Sequence, residues 1–247
     1  MKYRTQILGS DSHGFFWRIF LVWASVGLLI TGLNINIITL KSWPLPGFLL
    51  EFFTYCLLWG DFLFMVFASL VLVYVYRIWI GLPRTLVGLF LIAFCGAVSE
   101  WVGTKTGFPF GDYHYTENMG PMIDGQLPWA IPLAWWIVVS SLHLIFRYTY
   151  EALGPWTTGL LVGVSATLFD FIMEPYAWQI KAYWIWHQGS VPLANYITWF
   201  VLSATFSIML NAIGAVNRPG KGFPIHQPAV IMTLMTILFL LGRAIAE

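Results

Sequence analysis

Seven stretches of this sequence run for about 20 residues with scarcely a charged side chain, the length a helix needs to cross the hydrocarbon core of a bilayer. That pattern leaves few options for the fold. The runs are Phe15–Ile38, a run within Phe48–Ile80, Arg84–Val102, Trp129–Tyr148, Trp156–Glu174, Asn195–Val216 and Pro228–Ala246. Phe48–Ile80 is too long for one simple crossing. Gly60 and Asp61 are expected to break it into a short interfacial or re-entrant helix and a span. Only 9% of residues are charged, against about 25% in a soluble domain, and mean hydropathy is +0.75. The chain therefore reads as an all-α, polytopic integral membrane helix bundle, with one membrane-embedded domain over residues 1–247. No internal repeat or low-complexity tract interrupts it. The first apolar run is too long for a signal h-region and lacks a small-residue cleavage site, so no cleavable signal is expected.

A net charge of +1 offers no basic field for nucleic acid. Cys56 and Cys95 lie in separate apolar runs and read as small buried hydrophobes rather than a disulfide or metal pair. Lys2, Arg4, Arg18, Arg77, Arg84, Arg147, Arg218 and Lys221 fall on the N-terminal side of the spans. Lys41, Lys105, Lys181 and Arg243 fall on the other. This bias predicts a cytoplasmic N-terminus in a bacterial or archaeal cytoplasmic membrane. Most unusual polar residues cluster on the opposite, far side. Glu100 ends the third span, Asp170 and Glu174 end the fifth, Asn195 starts the sixth, Asn34 and Asn36 end the first, and Glu51 opens the second apolar run. The two long connections, Gly103–Pro128 and Pro175–Ala194, lie there too. Polar groups drawn from several helices to one level predict a shared cavity.

Asp170 and Glu174 stand four residues apart in TTGLLVGVSATLFDFIMEPYAW, on one helical face. A carboxylate deep in a bilayer costs roughly 3 kcal/mol or more. Two acids at the edge of an apolar pocket can divide the roles of acid and base; the alternative is a structural pair bound to tryptophan N–H groups or a nearby cation. Pro175 predicts a helix end at Glu174. Glu100 reads as a third acid or an ordinary interfacial one. The loop GTKTGFPFGDYHY has the glycine and proline of fixed turns. It would hang Asp112, Tyr113, His114 and Tyr115 over the cavity, although Asp112 also suits a local turn. His187 lies in a tryptophan-rich segment that an interfacial aromatic belt equally explains. His143 reads as a helix–helix hydrogen-bonding residue, and His13 and His226 as interfacial. Asn195, a turn before Trp199, either caps its helix or orients a water or a carboxyl group. Asp61 is either a site residue or interfacial. HExxH, G-x-S-x-G, P-loop and GxGxxG signatures are absent, and the histidines form no di-iron-type cluster.

Two blocks carry a family likeness. Glu100–Tyr115, followed by MGPMIDGQLPWAIPLAWW, resembles the carotenoid biosynthesis family of membrane hydratases, which includes carotenoid 1,2-hydratases and bisanhydrobacterioruberin hydratase. The second block resembles the family pattern of an Asp, a Glu-Pro four residues on, a W-x-W segment and P-x-x-N-Y/F-x-x-W. Here these are Asp170, Glu174–Pro175, Trp184 and Trp186, Pro192, Asn195–Tyr196 and Trp199. The stretch GSV before Pro192 departs from the aromatic or glycine-rich segment expected there. The resemblance implies a cofactor-independent reaction. No metal is expected from the residues, although His114 with Asp112 and His187 could hold one. Water would add across the terminal C=C of an acyclic carotenoid end group, giving a tertiary alcohol.

That chemistry needs a proton delivered to carbon and a tertiary carbocation captured by water. Asp170 and Glu174 are the expected acid/base pair, with Glu100 and Asp112 the next candidates. Tyr113, Tyr115, His114, Trp184, His187, Asn195 and Trp199 are the expected substrate-binding residues. Aromatic faces stabilise a desolvated cation by up to about 2 kcal/mol each. The expected partners are the carotenoid, water and membrane lipid. Two alternatives remain at this level: a carotenoid cyclase using the same protonation, and a proton-coupled transporter using the acids as a relay.

Overall fold

The computed structural model describes residues 10–35, 37–150, 152–215, 217–220 and 222–247. Lys2, Arg4, Asn36, Val216 and Lys221 lie outside them, as does the side chain of His13. Among the described residues, seven helices are long and apolar enough to cross a membrane, matching the number expected from the sequence. These are α1 (Ser10–Gly32), α3 (Gly47–Ile80), α4 (Leu82–Thr106), α5 (Ala130–Thr149), α6 (Pro155–Glu174), α7 (Leu193–Ala212) and α8 (His226–Ala246); a short α2 (Ile37–Ser42) precedes α3.

The expected break at Gly60 and Asp61 does not occur. α3 is one helix of 34 residues, about 51 Å long at 1.5 Å per residue. A single helical glycine costs only about 1 kcal/mol. Here its carbonyl also accepts the Trp23 indole N–H at 2.9 Å, which ties α1 to α3. The additional short helix is α2, earlier in the chain than expected. Pro175 does not end its helix either. It opens a single π-helical turn, Pro175–Ile180, continuous with α6. A wider turn accommodates the hydrogen bond that proline cannot make.

α5 is the axis of the bundle: 72% of its spanning window is buried, against 11% for α1. It packs against α3, α4, α6, α7 and α8. α5 and α7 run side by side. Trp135 stacks on Trp199, and eight residues further along each helix His143 bonds Ser207. Both His143 ring nitrogens are engaged, with Ser207 Oγ at 2.8 Å and the Ala215 carbonyl at 2.9 Å. This is the helix–helix role expected for it.

The two long connections are not independent loops. The first forms β1 (Tyr113–Tyr115), a 3-10 turn (Glu117–Met119), β2 (Met122–Ile123) and β3 (Leu127–Pro128); the second forms β4 (Trp184–Trp186). β2 pairs with β3 in a small hairpin. β1 pairs antiparallel with β4, in the register Tyr113↔Trp186, His114↔Ile185, Tyr115↔Trp184. The Thr198 hydroxyl donates to the Pro109 carbonyl at 2.9 Å and pins the first connection to α7. The resulting ribbon sits over the ends of α4, α6 and α7, where Glu100, Glu174 and Asn195 lie.

Candidate active site

A hollow of about 1370 Å³, counting its open mouth, lies between the helices and the ribbon. Side chains of α1, α3 and α8, among them Val26, Ile30, Phe64, Met235 and Phe239, give it an apolar lining. Glu100 from α4, Asp170 and Glu174 from α6, and Asn195 and Trp199 from α7 line it as well. The helical spacing of Asp170 and Glu174 thus delivers both to one cavity.

Alternation along the strands decides which ribbon residues join them. Tyr113 and Tyr115 on β1, and Trp184 and Trp186 on β4, face the hollow. The Tyr113 hydroxyl donates to Glu100 Oε2 at 2.5 Å and the Tyr115 hydroxyl to the same oxygen at 2.8 Å. Glu100 Oε1 accepts the Trp135 indole N–H at 3.0 Å. Burial first, and the charge of Glu100 second, push both phenols well above their usual pKa, so they remain donors. Gly103 makes this approach of β1 to α4 feasible, since a Cβ there would stand 2.8 Å from Phe110 and 3.0 Å from the Tyr113 hydroxyl.

Asn195 joins the two acids of α6. Its amide donates to Asp170 Oδ2 at 2.7 Å and to Glu174 Oε1 at 3.3 Å. Glu174 Oε2 accepts the indole N–H groups of Trp184 (3.3 Å) and Trp186 (3.2 Å). Every partner of Glu174 and Glu100 is thus a donor, and all four of their oxygens are engaged. Asp170 differs. It is fully buried, and its Oδ1 has no hydrogen-bond partner among the described residues. A buried polar atom without a partner costs about 1–3 kcal/mol, so an orphan in a cavity wall marks a place for something else to bind or react.

Asp112, His114 and His187, expected over the cavity, are placed elsewhere. His114 alternates with Tyr113 and Tyr115 and so points to the opposite side of the ribbon, and His187 follows the inward Trp186. The three form their own exposed chain. His187 Nδ1 lies 2.9 Å from Asp112 Oδ1, and His187 Nε2 lies 2.8 Å from His114 Nδ1. None of them lines the hollow. Asp61 does line it. Its Oδ2 accepts the Tyr183 hydroxyl at 2.5 Å and pairs with Lys181 Nζ at 3.4 Å, fastening α3 to the second connection. Asp61 is the main reason that the Lys181 ammonium titrates above its usual range.

Trp135 and the Lys181–Tyr183 pair are cavity residues that sequence reasoning passed over. Trp135 is one of 14 tryptophans and half of a Trp135–Trp136 doublet. Its one distinguishing sign was a position a few residues into a span that begins beside the loop carrying the tyrosines. Cys56 also faces the hollow, as a small buried side chain.

A sequence model of the carotenoid biosynthesis protein family matches residues 60–246, from Gly60 in α3 to the end of α8. The bisanhydrobacterioruberin hydratase of Haloarcula japonica is 29% identical over 149 residues, which cover 58% of this chain and 50% of that protein. The matched stretch thus spans half the length of that relative. No solved structure matches the chain.

Proposed function

The chain belongs to the carotenoid biosynthesis protein family, and we propose that it is a hydratase acting on the terminal C=C of an acyclic carotenoid end group. The observation that carries this reading is the orphaned Oδ1 of Asp170. Among the described residues it is the one oxygen of the three clustered carboxyl groups without a donor, which suits it to hold a proton for transfer. The remaining oxygens face indole, phenol and amide donors and suit carboxylates that accept.

In the proposed reaction the proton on Asp170 Oδ1 passes to the less substituted carbon of the terminal double bond. The π electrons form the new C–H bond, and positive charge is left on the tertiary carbon. The faces of Trp199, Trp184, Tyr113 and Tyr115 and the negative charge of Glu100 stabilise that cation. A water oxygen then bonds to the tertiary carbon and gives up a proton to Glu174. Asn195, which bonds both acids, holds them within reach of one water, so the proton returns to Asp170 and the cycle closes. One water is consumed and no net proton. The polyene lies along the apolar lining from α1, α3 and α8. The Lys and Arg distribution puts the acid cluster near the side opposite a cytoplasmic N-terminus.

The test is purified protein in detergent, without an ion gradient, incubated with an acyclic carotenoid and followed by chromatography with mass analysis. A product heavier by one water is expected. A product of unchanged mass would assign the same protonation to a cyclase. No conversion of a range of acyclic carotenoids would overturn the enzyme reading.

A further inference from the structure

Trp135 stands at a junction that the reaction scheme above does not use. Its indole N–H donates to Glu100 Oε1 at 3.0 Å. Its ring stacks on Trp199 with centroids 4.4 Å apart and an interplanar angle of 25°. Phe206 meets it edge-on at 5.7 Å. Trp135 is itself buried, and both stacked indoles line the hollow. The fit depends on Gly96, one helical turn before Glu100 on α4. A Cβ at Gly96 would stand 2.7 Å from Trp135 Cδ1 and 2.8 Å from its Cγ. Any side chain there would push the indole off the wall from which it reaches Glu100. Gly96 and Glu100 therefore act on the same side chain from the same helix face.

We propose that Trp135 is a positioning residue of the reaction. Its N–H fixes the Glu100 carboxylate, and its face sets the plane of Trp199, so one rigid side chain aligns the negative and aromatic surfaces that meet the cation. The inference rests on the hydratase reading and adds a specific coupling between α4, α5 and α7. An indole is suited to this task. It offers one directed donor and two flat faces, and with Glu100 and Trp199 already engaging it, little freedom remains to be lost in the transition state. Indole nitrogen only donates, so it occupies a lone pair of Glu100 Oε1 and takes no proton from the water or the acid.

A double-mutant cycle separates positioning from plain packing. Trp135→Phe keeps an aromatic ring against Trp199 but removes the N–H. It is expected to lower kcat about tenfold, in keeping with the loss of a hydrogen bond to a charged group, with KM unchanged within about twofold. In a Glu100→Gln background the same substitution is expected to cost less than about twofold, because the group it positions is already gone. Gly96→Ala keeps the tryptophan but displaces its ring; it should reproduce the kcat loss in wild type and cost less beside Glu100→Gln, where only the part acting through Trp199 remains, which covers a poorly folding Trp135→Phe. Equal penalties in both backgrounds, or near wild-type kcat in Trp135→Phe, would overturn the proposal while leaving the hydratase reading intact. An inactive wild-type protein would overturn the hydratase reading, and this proposal with it.

Discussion

Each face of the β1–β4 ribbon carries a hydrogen-bonded set of side chains, but in different circumstances. On the inner face Tyr113, Tyr115, Trp184 and Trp186 aim their donors at Glu100 and Glu174 inside a hollow among membrane helices. On the outer face Asp112, His187 and His114 form an equally continuous hydrogen-bonded chain, but in the open. By residue type the outer chain is the more familiar catalytic set. By location it lies outside the hollow, and its exposed members have water as an alternative partner, so each bond contributes little. The inner set desolvates its acids, and there a missing or added donor changes the chemistry. Enclosure, rather than the familiarity of the residue types, distinguishes the inner set.

Substitutions grade that contrast. Asp170 aside, the largest effect falls on Glu174: Glu174→Gln is expected to lower turnover at least about a hundredfold, the scale of a lost general base, while the protein still inserts and folds. Asn195→Ala removes the shared donor to Asp170 and Glu174 and is expected to cost about 10- to 100-fold in kcat. Tyr113→Phe leaves Glu100 with two donors and is expected to cost about tenfold. Its expression and thermal stability, read by fluorescence-detected size exclusion, should stay close to wild type. The smallest effect falls outside. His114→Ala, His187→Ala and Asp112→Asn are each expected to change turnover by less than about twofold. A tenfold loss in any of these would break the contrast and bring the outer chain into the reaction. All can be measured in one detergent assay with a single acyclic carotenoid.

How much of this could be read in the chain differs from element to element. The seven spans follow from apolar length alone, because a bilayer imposes its thickness on sequence. The pairing of Asp170 with Glu174 follows from helical geometry, and the gathering of Glu100, Glu174 and Asn195 from the alternation of spans. The continuity of α3 was not legible. Gly60 signals a break unless one knows that Trp23, from another helix, bonds its carbonyl. Nor was the pairing of β1 with β4, which joins residues 73 apart in the case of Tyr113 and Trp186. Three-residue strands carry too few side chains for a period to show. Without that pairing, the sequence Asp112-Tyr113-His114-Tyr115 cannot be divided into inward and outward residues. Trp135 stayed hidden for a related reason, since its partner Glu100 lies on another helix.

In the proposed reaction the carboxyl oxygen of Asp170 that lacks a partner among the described residues delivers the first proton. The direct measurement is turnover of purified Asp170→Asn beside wild type, in water enriched in heavy oxygen, with product masses recorded. Wild type should form an alcohol carrying one heavy oxygen, and the equally folded Asp170→Asn protein should form at least about a hundredfold less. Labelled alcohol appearing from Asp170→Asn at near wild-type rate would rule out Asp170 as the proton donor.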